Sequence, residues 1–180
     1  MKKKLINKKK VKIRSFLIGD AYNSNYFAWL SDPQVTKYIL REELGIGFDK
    51  IKIIKYLNDT LENKRIEFFS VFFEKKMIGT LKVSNIDKRS KSGELGIMIG
   101  EKNYWNKGLG KYSVDFLINY CFKKIKLNKI FAGTDIRNKG MKKVFISLGF
   151  NIVGITKSVF KNKTYKNYKF ILNKKNNRKL

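Results

Sequence analysis

Along the chain, apolar and polar positions alternate in some stretches and recur at helical spacing in others, and the switches between the two patterns mark the elements. "VKIRSF" (11–16) alternates and predicts a strand. "GDAYNSNYFAWLSDPQVTKYI" (19–39) predicts a helix, a break at Asp32-Pro33 and a short second helix. Asp20 is expected to cap the first piece and Pro33 to open the second. "FDKIKIIKYLNDTLEN" (48–63) places Ile51, Ile54, Leu57 and Leu61 at helical intervals behind an Asp49 cap. "IEFFSVFFEKKMIGTLKVSNID" (66–87) predicts an antiparallel hairpin turning at Glu74-Lys75-Lys76.

After a charged loop, "GELGIMIG" (93–100) predicts another strand, followed by a helix from Gly108 to Lys124 and the strand "KIFAGTDI" (129–136). "NKGMKKVFISLGF" (138–150) predicts a helix from Asn138 that stops at Gly149. "NIVGITKSVF" and "TYKNYKFIL" form a closing hairpin around Asn162-Lys163. No internal repeat or linker interrupts this order. The expectation is one α+β domain over residues 11–172, with a mainly antiparallel sheet and helices on its faces. A basic arm (1–10) precedes it and a basic tail (173–180) follows.

Composition narrows the chemistry. A chain of 180 residues with 43% hydrophobic and 14% aromatic content has enough apolar surface for one core. No apolar run reaches membrane-span length, and the opening "MKKKLINKKK" has no apolar stretch behind its lysines, so it does not read as a secretory signal. Cys121 is the single cysteine, so no intrachain disulfide forms, and a cytoplasmic location is expected. The net charge is +27, carried almost wholly by lysine. Nucleic-acid readers lean on arginine forks, so the charge does not require a nucleic-acid partner; it reads either as a solvated lysine surface or as a functional basic patch. Histidine is absent, which excludes Ser-His-Asp and Cys-His catalysis and most zinc sites; no metal is expected.

Gly108-Leu109-Gly110 is the most informative stretch. It follows a strand and opens a helix, where free backbone N–H groups and a partial positive charge make an anion site. It does not fit a P-loop, because Trp105 stands at the first glycine position and Tyr112 follows Gly110-Lys111. It does not fit a dinucleotide fingerprint, because Ser113 stands at the third glycine and a hairpin precedes it.

Residues 93–150 do resemble the core of the GNAT superfamily of acetyl-CoA-dependent N-acetyltransferases. The nearest likeness is to the branch of ribosomal-protein N-terminal, spermidine and amino-sugar acetyltransferases. That branch shows Tyr-Trp-Gly-Lys-Gly-x-Gly, a helix, a strand, then Asn and a helix ending Leu-Gly-Phe. Here those positions are Tyr104-Trp105-Asn106-Lys107-Gly108-Leu109-Gly110, Asn138 and Leu148-Gly149-Phe150. "WLSDPQVTKYI" (29–39) and the hairpin with Ile78-Gly79 are similar too.

The resemblance implies a GNAT fold with splayed central strands, acetyl-CoA as co-substrate, and direct transfer to a primary amine. It implies that the backbone from Asn106 to Lys111, with Trp105, Lys107, Gly108, Leu109 and Gly110, holds the pyrophosphate. It implies that the strand through Ile97, Met98 and Ile99 pairs with pantetheine, that amides near Ile97 and Met98 polarise the thioester carbonyl, and that Asn138 touches the cofactor. A homodimer is common in the branch. For each residue a packing or capping role stands beside this one: helix packing for Gly110, core filling for Trp105, an N-cap for Asn138.

Acetylating an amine of pKa ~10.4 requires a proton acceptor. Glu94 is the first candidate, with a solvated sheet carboxylate as the other reading; Glu42, Glu43 and Asp87 are further ones. The tyrosine and serine that the branch carries after the Asn are Phe145 and Met141 here, so the thiolate's proton falls to Tyr165, Tyr168 or water. Asn167 stands where the branch has Asp. Cys121 reads as core packing. Trp29, Tyr38, Arg41 and Glu42 are expected on the acceptor wall. An arginine there, with the basic surface, favours a nucleotide-linked amino sugar or another anionic amine over a polyamine. A ribosomal-protein N-terminus, or a GNAT-like RNA- or ribosome-binding module with reduced chemistry, are the alternatives.

Overall fold

The computed structural model describes residues 7–39, 49–160 and 163–176. Its strands are β1 (Val11–Ser15), β2 (Glu67–Phe73), β3 (Lys76–Asp87), β4 (Ser92–Ile99), β5 (Lys129–Asp135), β6 (Asn151–Phe160) and β7 (Lys163–Asn173). Its helices are α1 (Ile18–Tyr22), α2 (Tyr26–Ser31), α3 (Pro33–Thr36), α4 (Lys50–Glu62), α5 (Leu109–Asn119) and α6 (Lys139–Ser147). Lys8–Lys10 form a 3-10 turn capped by Asn7. α5 is prolonged by a π-turn, Tyr120–Lys124.

The strands form one sheet in the order β1-β2-β3-β4-β5-β7-β6. β4 and β5 pair in parallel, while every other neighbouring pair is antiparallel. Each face carries its own core. On one face α5 and α6 bury Leu109, Val114, Leu117, Phe122 and Phe145 against Phe69, Leu81, Leu95, Ile130 and Phe170. On the other, α1–α4 bury Tyr26, Trp29, Ile53 and Leu57 against Phe68, Met77 and Met98. Strand alternation sends successive side chains to opposite cores, as Phe68 and Phe69 show.

Three local expectations change. The first predicted helix divides at 23–25, where Ser24 Oγ accepts from the Tyr26 amide at 3.2 Å in place of a continuing helical bond. Asp20 lies inside α1 rather than before it, and its carboxylate accepts from the Leu17 amide at 3.0 Å. It is also tied to both sheet and helix: Arg14 donates at 2.6 and 2.8 Å, and Ser70 Oγ at 2.6 Å. In α4 the buried stripe is Ile53, Leu57 and Thr60, while Ile51 is 80% exposed and Leu61 faces outward too. Two apolar stripes compete on that helix, and only its orientation over β2 selects between them.

Candidate active site

β4 and β5 pair through Ser92–Leu95 and Lys129–Ala132, and then part. Beyond that point β4 stays bonded to β3, and β5 to β7. The first residue past the last pair is glycine on both strands, Gly96 and Gly133. A Cβ would meet only ordinary contacts at either place, 3.5 Å and 3.8 Å away, so packing does not demand these glycines. They keep the mouth of the gap bare.

The backbone polarity of the gap follows from the contacts around it. The Gly100 amide donates to the Ile78 carbonyl at 3.0 Å, and the Met98 carbonyl lies over Gly79, where a Cβ would sit 2.3 Å from it. Met98 and Gly100 are therefore turned to β3. Successive residues of a strand face opposite edges, so Ile97 and Ile99 are turned to the gap. The expectation that shared the polarising amide between Ile97 and Met98 narrows to Ile97, because Met98 is spent on the β3 ladder.

The loop after β4 closes one end of this gap. The Trp105 indole Nε1 donates to the Ile99 carbonyl at 2.7 Å. Asn106 then takes φ +58° and Gly108 φ +86°, both left-handed. Asparagine is among the few side chains that tolerate that region, which accounts for Asn106 at a glycine position of the motif. Gly108 precedes α5, and the first intrahelical bond runs from the Tyr112 amide to the Gly108 carbonyl at 3.0 Å. The amides of Leu109, Gly110 and Lys111 come before that bond and carry the helix's positive end. At Gly110 a Cβ would meet only Met141 Sδ, at 3.5 Å, so helix packing does not require glycine there. What a side chain would fill is the cleft. Lys107 lies 5.6 Å from the Tyr104 ring rather than among the cleft-lining side chains.

A cleft of about 1130 Å³ runs through the gap and joins the two faces of the sheet. Its α5/α6 half is lined by Ile97, Ile99, Asn106, Gly108–Lys111, Asn138 and Tyr168, while Trp105 lines the cleft from the α1–α4 core against which it packs. Its α1–α4 half is lined by Tyr38, Arg65, Asp87, Glu94, Met98, Arg137 and Lys169. Glu94 is half-buried and accepts from Asn85 Nδ2 at 3.2 Å. Asp87 is committed to its own turn, accepting from the Arg89 and Ser90 amides at 2.8 and 3.1 Å. Those bonds, Ser90's first, hold its carboxyl below the usual range. It is a turn cap and a poor base.

Trp29 is displaced from the acceptor wall. It is 4% exposed, packs on Gly100, and donates from its indole to Glu101 Oε1 at 3.2 Å. Glu101 also accepts from Asn25 and Lys76 at 2.8 and 2.7 Å, which joins α2 to the ends of β3 and β4. Burial raises its pKa, but these bonds outweigh that and hold it low. Arg41, Glu42 and Glu43 lie outside the described residues.

Asn138 caps α6, accepting from the Met141 amide at 3.1 Å, and lines the cleft as well. Phe145 is buried against Phe150 and Phe170. Tyr168 lines the cleft and its hydroxyl accepts from Lys142 Nζ at 3.1 Å; Tyr165 lies outside the lining. Burial, with the charge of Glu67, pushes the Cys121 thiol up to about 12, in keeping with a packing role. Asn167 stands opposite Asp135 across β5–β7, so an aspartate there would set two carboxylates side by side.

The sequence reading missed Arg137. It lies two residues past the end of β5, and its guanidinium grips Asp135 through Nε–Oδ1 at 2.8 Å and Nη2–Oδ2 at 2.6 Å. The D-x-R spacing was visible, but its position at the cleft was not. Among the described residues no group of three His, Cys, Asp or Glu gathers to hold a metal ion, and no helix is long and apolar enough to cross a membrane.

Comparison with known proteins agrees with this geometry. Residues 11–151 match the family model described as Acetyltransferase (GNAT) domain. An uncharacterized N-acetyltransferase p20 from Bacillus licheniformis is 30% identical over 135 residues, 74% of this chain and 75% of that protein. The crystal structure of spermidine N-acetyltransferase from Vibrio cholerae, in complex with CoA and spermine, superposes with a TM-score of 0.79. It is 18% identical and the match covers 93% of this chain and 98% of that one. A chimera of the Vibrio cholerae enzyme with hSSAT gives a TM-score of 0.76 at 17% identity, covering 91% and 95%.

Proposed function

Because the chain belongs to the GNAT acetyltransferase family, we propose that it moves an acetyl group from acetyl-CoA directly onto a primary amine, in the cytoplasm. Membership makes it an acyltransferase; the donor, acceptor and residue roles are the proposal. The observation that carries it is the parting of β4 from β5 beside the N-terminus of α5. That arrangement offers an unpaired strand edge and a diphosphate-sized nest of amides in one cleft.

When bound, acetyl-CoA supplies an activated acetyl group that the amine can attack. The amides of Asn106–Lys111 hold the diphosphate, with bare Gly110 letting it approach the backbone. Ile97 and Ile99 pair with the pantetheine amides as a neighbouring strand would. The Ile97 amide donates to the carbonyl oxygen as charge develops there. Glu94, on the opposite half of the cleft, takes the amine proton through a water molecule. The proton returned to the thiolate comes from water or from Tyr168. No acyl-enzyme is needed.

The acceptor is an anionic amine, a nucleotide-linked amino sugar in the first instance. A net charge of +27 disfavours a polycation, and this reading separates the chain from the spermine-bound neighbour.

Isothermal titration with acetyl-CoA and with CoA tests the proposal first. Micromolar-class binding, followed by thiol release with an amine panel, supports it. No heat at high protein concentration sinks it.

A further inference from the structure

Arg137 is held in one orientation by a carboxylate that is itself buried. Asp135 is 4% exposed and accepts three bonds from the same residue: the Arg137 amide at 2.8 Å, Nε at 2.8 Å and Nη2 at 2.6 Å. A guanidinium is planar, with five N–H donors in a fixed fork. The pair with Asp135 uses the Nε/Nη2 edge, so planarity directs the Nη1/Nη2 edge away from Asp135. The side chain remains 58% exposed and lines the cleft.

The half of the cleft it serves is settled by the sheet. Ile130 and Ala132 belong to the α5/α6 core, so Phe131, Gly133 and Asp135 face the α1–α4 side. Phe131 is the register partner of Glu94, which faces that side too. The Arg137 guanidinium lies over the Tyr165 ring, 6.0 Å from its centroid, and Tyr38 lines the same cleft. Lys169, opposite Gly133, lines the same half over the Phe131 ring. Arg137 therefore belongs to the acceptor half and not to the half assigned to the nucleotide donor.

We propose that Arg137 is the anion anchor of the acceptor site, binding a carboxylate or phosphate of the amine substrate through its free guanidinium edge. This rests on the acetyl-transfer reading above. Asp135 lies four residues beyond Phe131, about 13 Å along the strand at ~3.3 Å per residue. An amine reacting near Ile97 falls between Glu94 and that level. Ile97 is three residues beyond Glu94, about 10 Å along its strand, so the step along the sheet from the amine to the Asp135 level is only about 3 Å, and the rest of the separation between amine and anion is the gap between the parted strands. Arg137 is a specificity residue: it sets which amine is held, while Glu94 and Ile97 act on the reacting atoms.

The test uses glucosamine and glucosamine 6-phosphate, which differ only in the anionic group. The full chain and its Arg137→Gln and Arg137→Lys variants are assayed for kcat/KM on both. Binding of both sugars to CoA-loaded protein is measured alongside, so that the comparison does not depend on turnover. The native protein is expected to prefer the phosphorylated sugar by about tenfold or more. Arg137→Gln is expected to bring that ratio near one, and Arg137→Lys to fall between, keeping the charge without the fork. Acetyl-CoA affinity serves as the folding control for both variants. A native ratio near one in both readouts, or a ratio that Arg137→Gln leaves unchanged, overturns the anchor while acetyl transfer stands. Failure of acetyl-CoA to bind at all overturns the acetyl-transfer reading, and the anchor falls with it.

Discussion

The Trp105 indole N–H and the Ile99 carbonyl meet at 2.7 Å, and this bond ties the loop before α5 to the end of the strand that borders the gap. Ile99 is a residue turned away from β3, so without Trp105 its carbonyl would have no strand to accept from. Trp105→Phe keeps most of the ring and removes the donor. A hydrogen bond of this kind contributes about 1 kcal/mol, so acetyl-CoA affinity is expected to fall roughly fivefold with little change in fold. Titration of the variant checks this. Unchanged affinity would mean that the loop is placed by other contacts.

The two glycines of the loop have separable roles. Gly108 sits at φ +86°, where a side chain is strained, so Gly108→Ala should cost about 1 kcal/mol or more of stability. At Gly110 an added Cβ meets only Met141 Sδ, at 3.5 Å, so Gly110→Leu should leave stability nearly intact. It should instead abolish measurable acetyl-CoA binding, by filling the space where the diphosphate approaches. Thermal melts and titrations on both variants separate the effects. Equal destabilisation with equal loss of binding would argue for one packing role.

Glu94→Gln should lower kcat by about 10²–10⁴-fold and leave acetyl-CoA affinity within about twofold, because a general base acts on the amine alone. Activity should recover as pH rises past the acceptor amine's own pKa, where the amine is already neutral and no base is needed to free it. A rate loss that stays constant with pH would assign Glu94 to acceptor binding or structure.

Arg14 and Asp20 predict the acid limb of stability. Burial raises the Asp20 pKa, but Arg14, Ser70 and the Leu17 amide outweigh it and hold the carboxyl below its ordinary 3.8. A carboxylate depressed in the folded state adds stability above its unfolded value and loses it as pH falls through the lower folded value. Denaturant titrations should therefore show stability dropping below about pH 4. Arg14→Ala should cost about 2 kcal/mol at pH 7, less than a fully buried pair because Arg14 is partly solvated. It should also flatten the acid limb. An acid limb unchanged in the variant would place its origin in other carboxylates, Asp135 or Glu101 first.

Cys121 should resist thiol reagents in the folded protein and react on unfolding, since burial keeps it a thiol to about 12. Cys121→Ala should retain activity and lose about 1 kcal/mol of stability from the core. Rapid labelling under native conditions would contradict the buried placement.

Much was legible along the chain because it depends on neighbours in sequence. Strand alternation, the Asp49 and Asn138 caps, Pro33 at a helix start and Gly149 at a helix stop are local backbone choices, and each appears where it was expected. The glycine pair before α5 was legible for the same reason: a helix start presents free amides whatever surrounds it.

Tertiary structure alone decided the rest. It chose Ile53 over Ile51 as the buried stripe of α4, because both satisfy the helical period and only the underlying sheet distinguishes them. It moved Trp29 into the core, where the bare Gly100 receives its ring. It turned Ile97 rather than Met98 to the gap, since which edge of β4 meets β3 is set by register and not by residue type. It also brought Arg137 to the acceptor half of a cleft whose other walls come from residues dozens of positions away. Spacing along a chain fixes what each segment can form; which of its faces meets the site is fixed by the segments that pack against it.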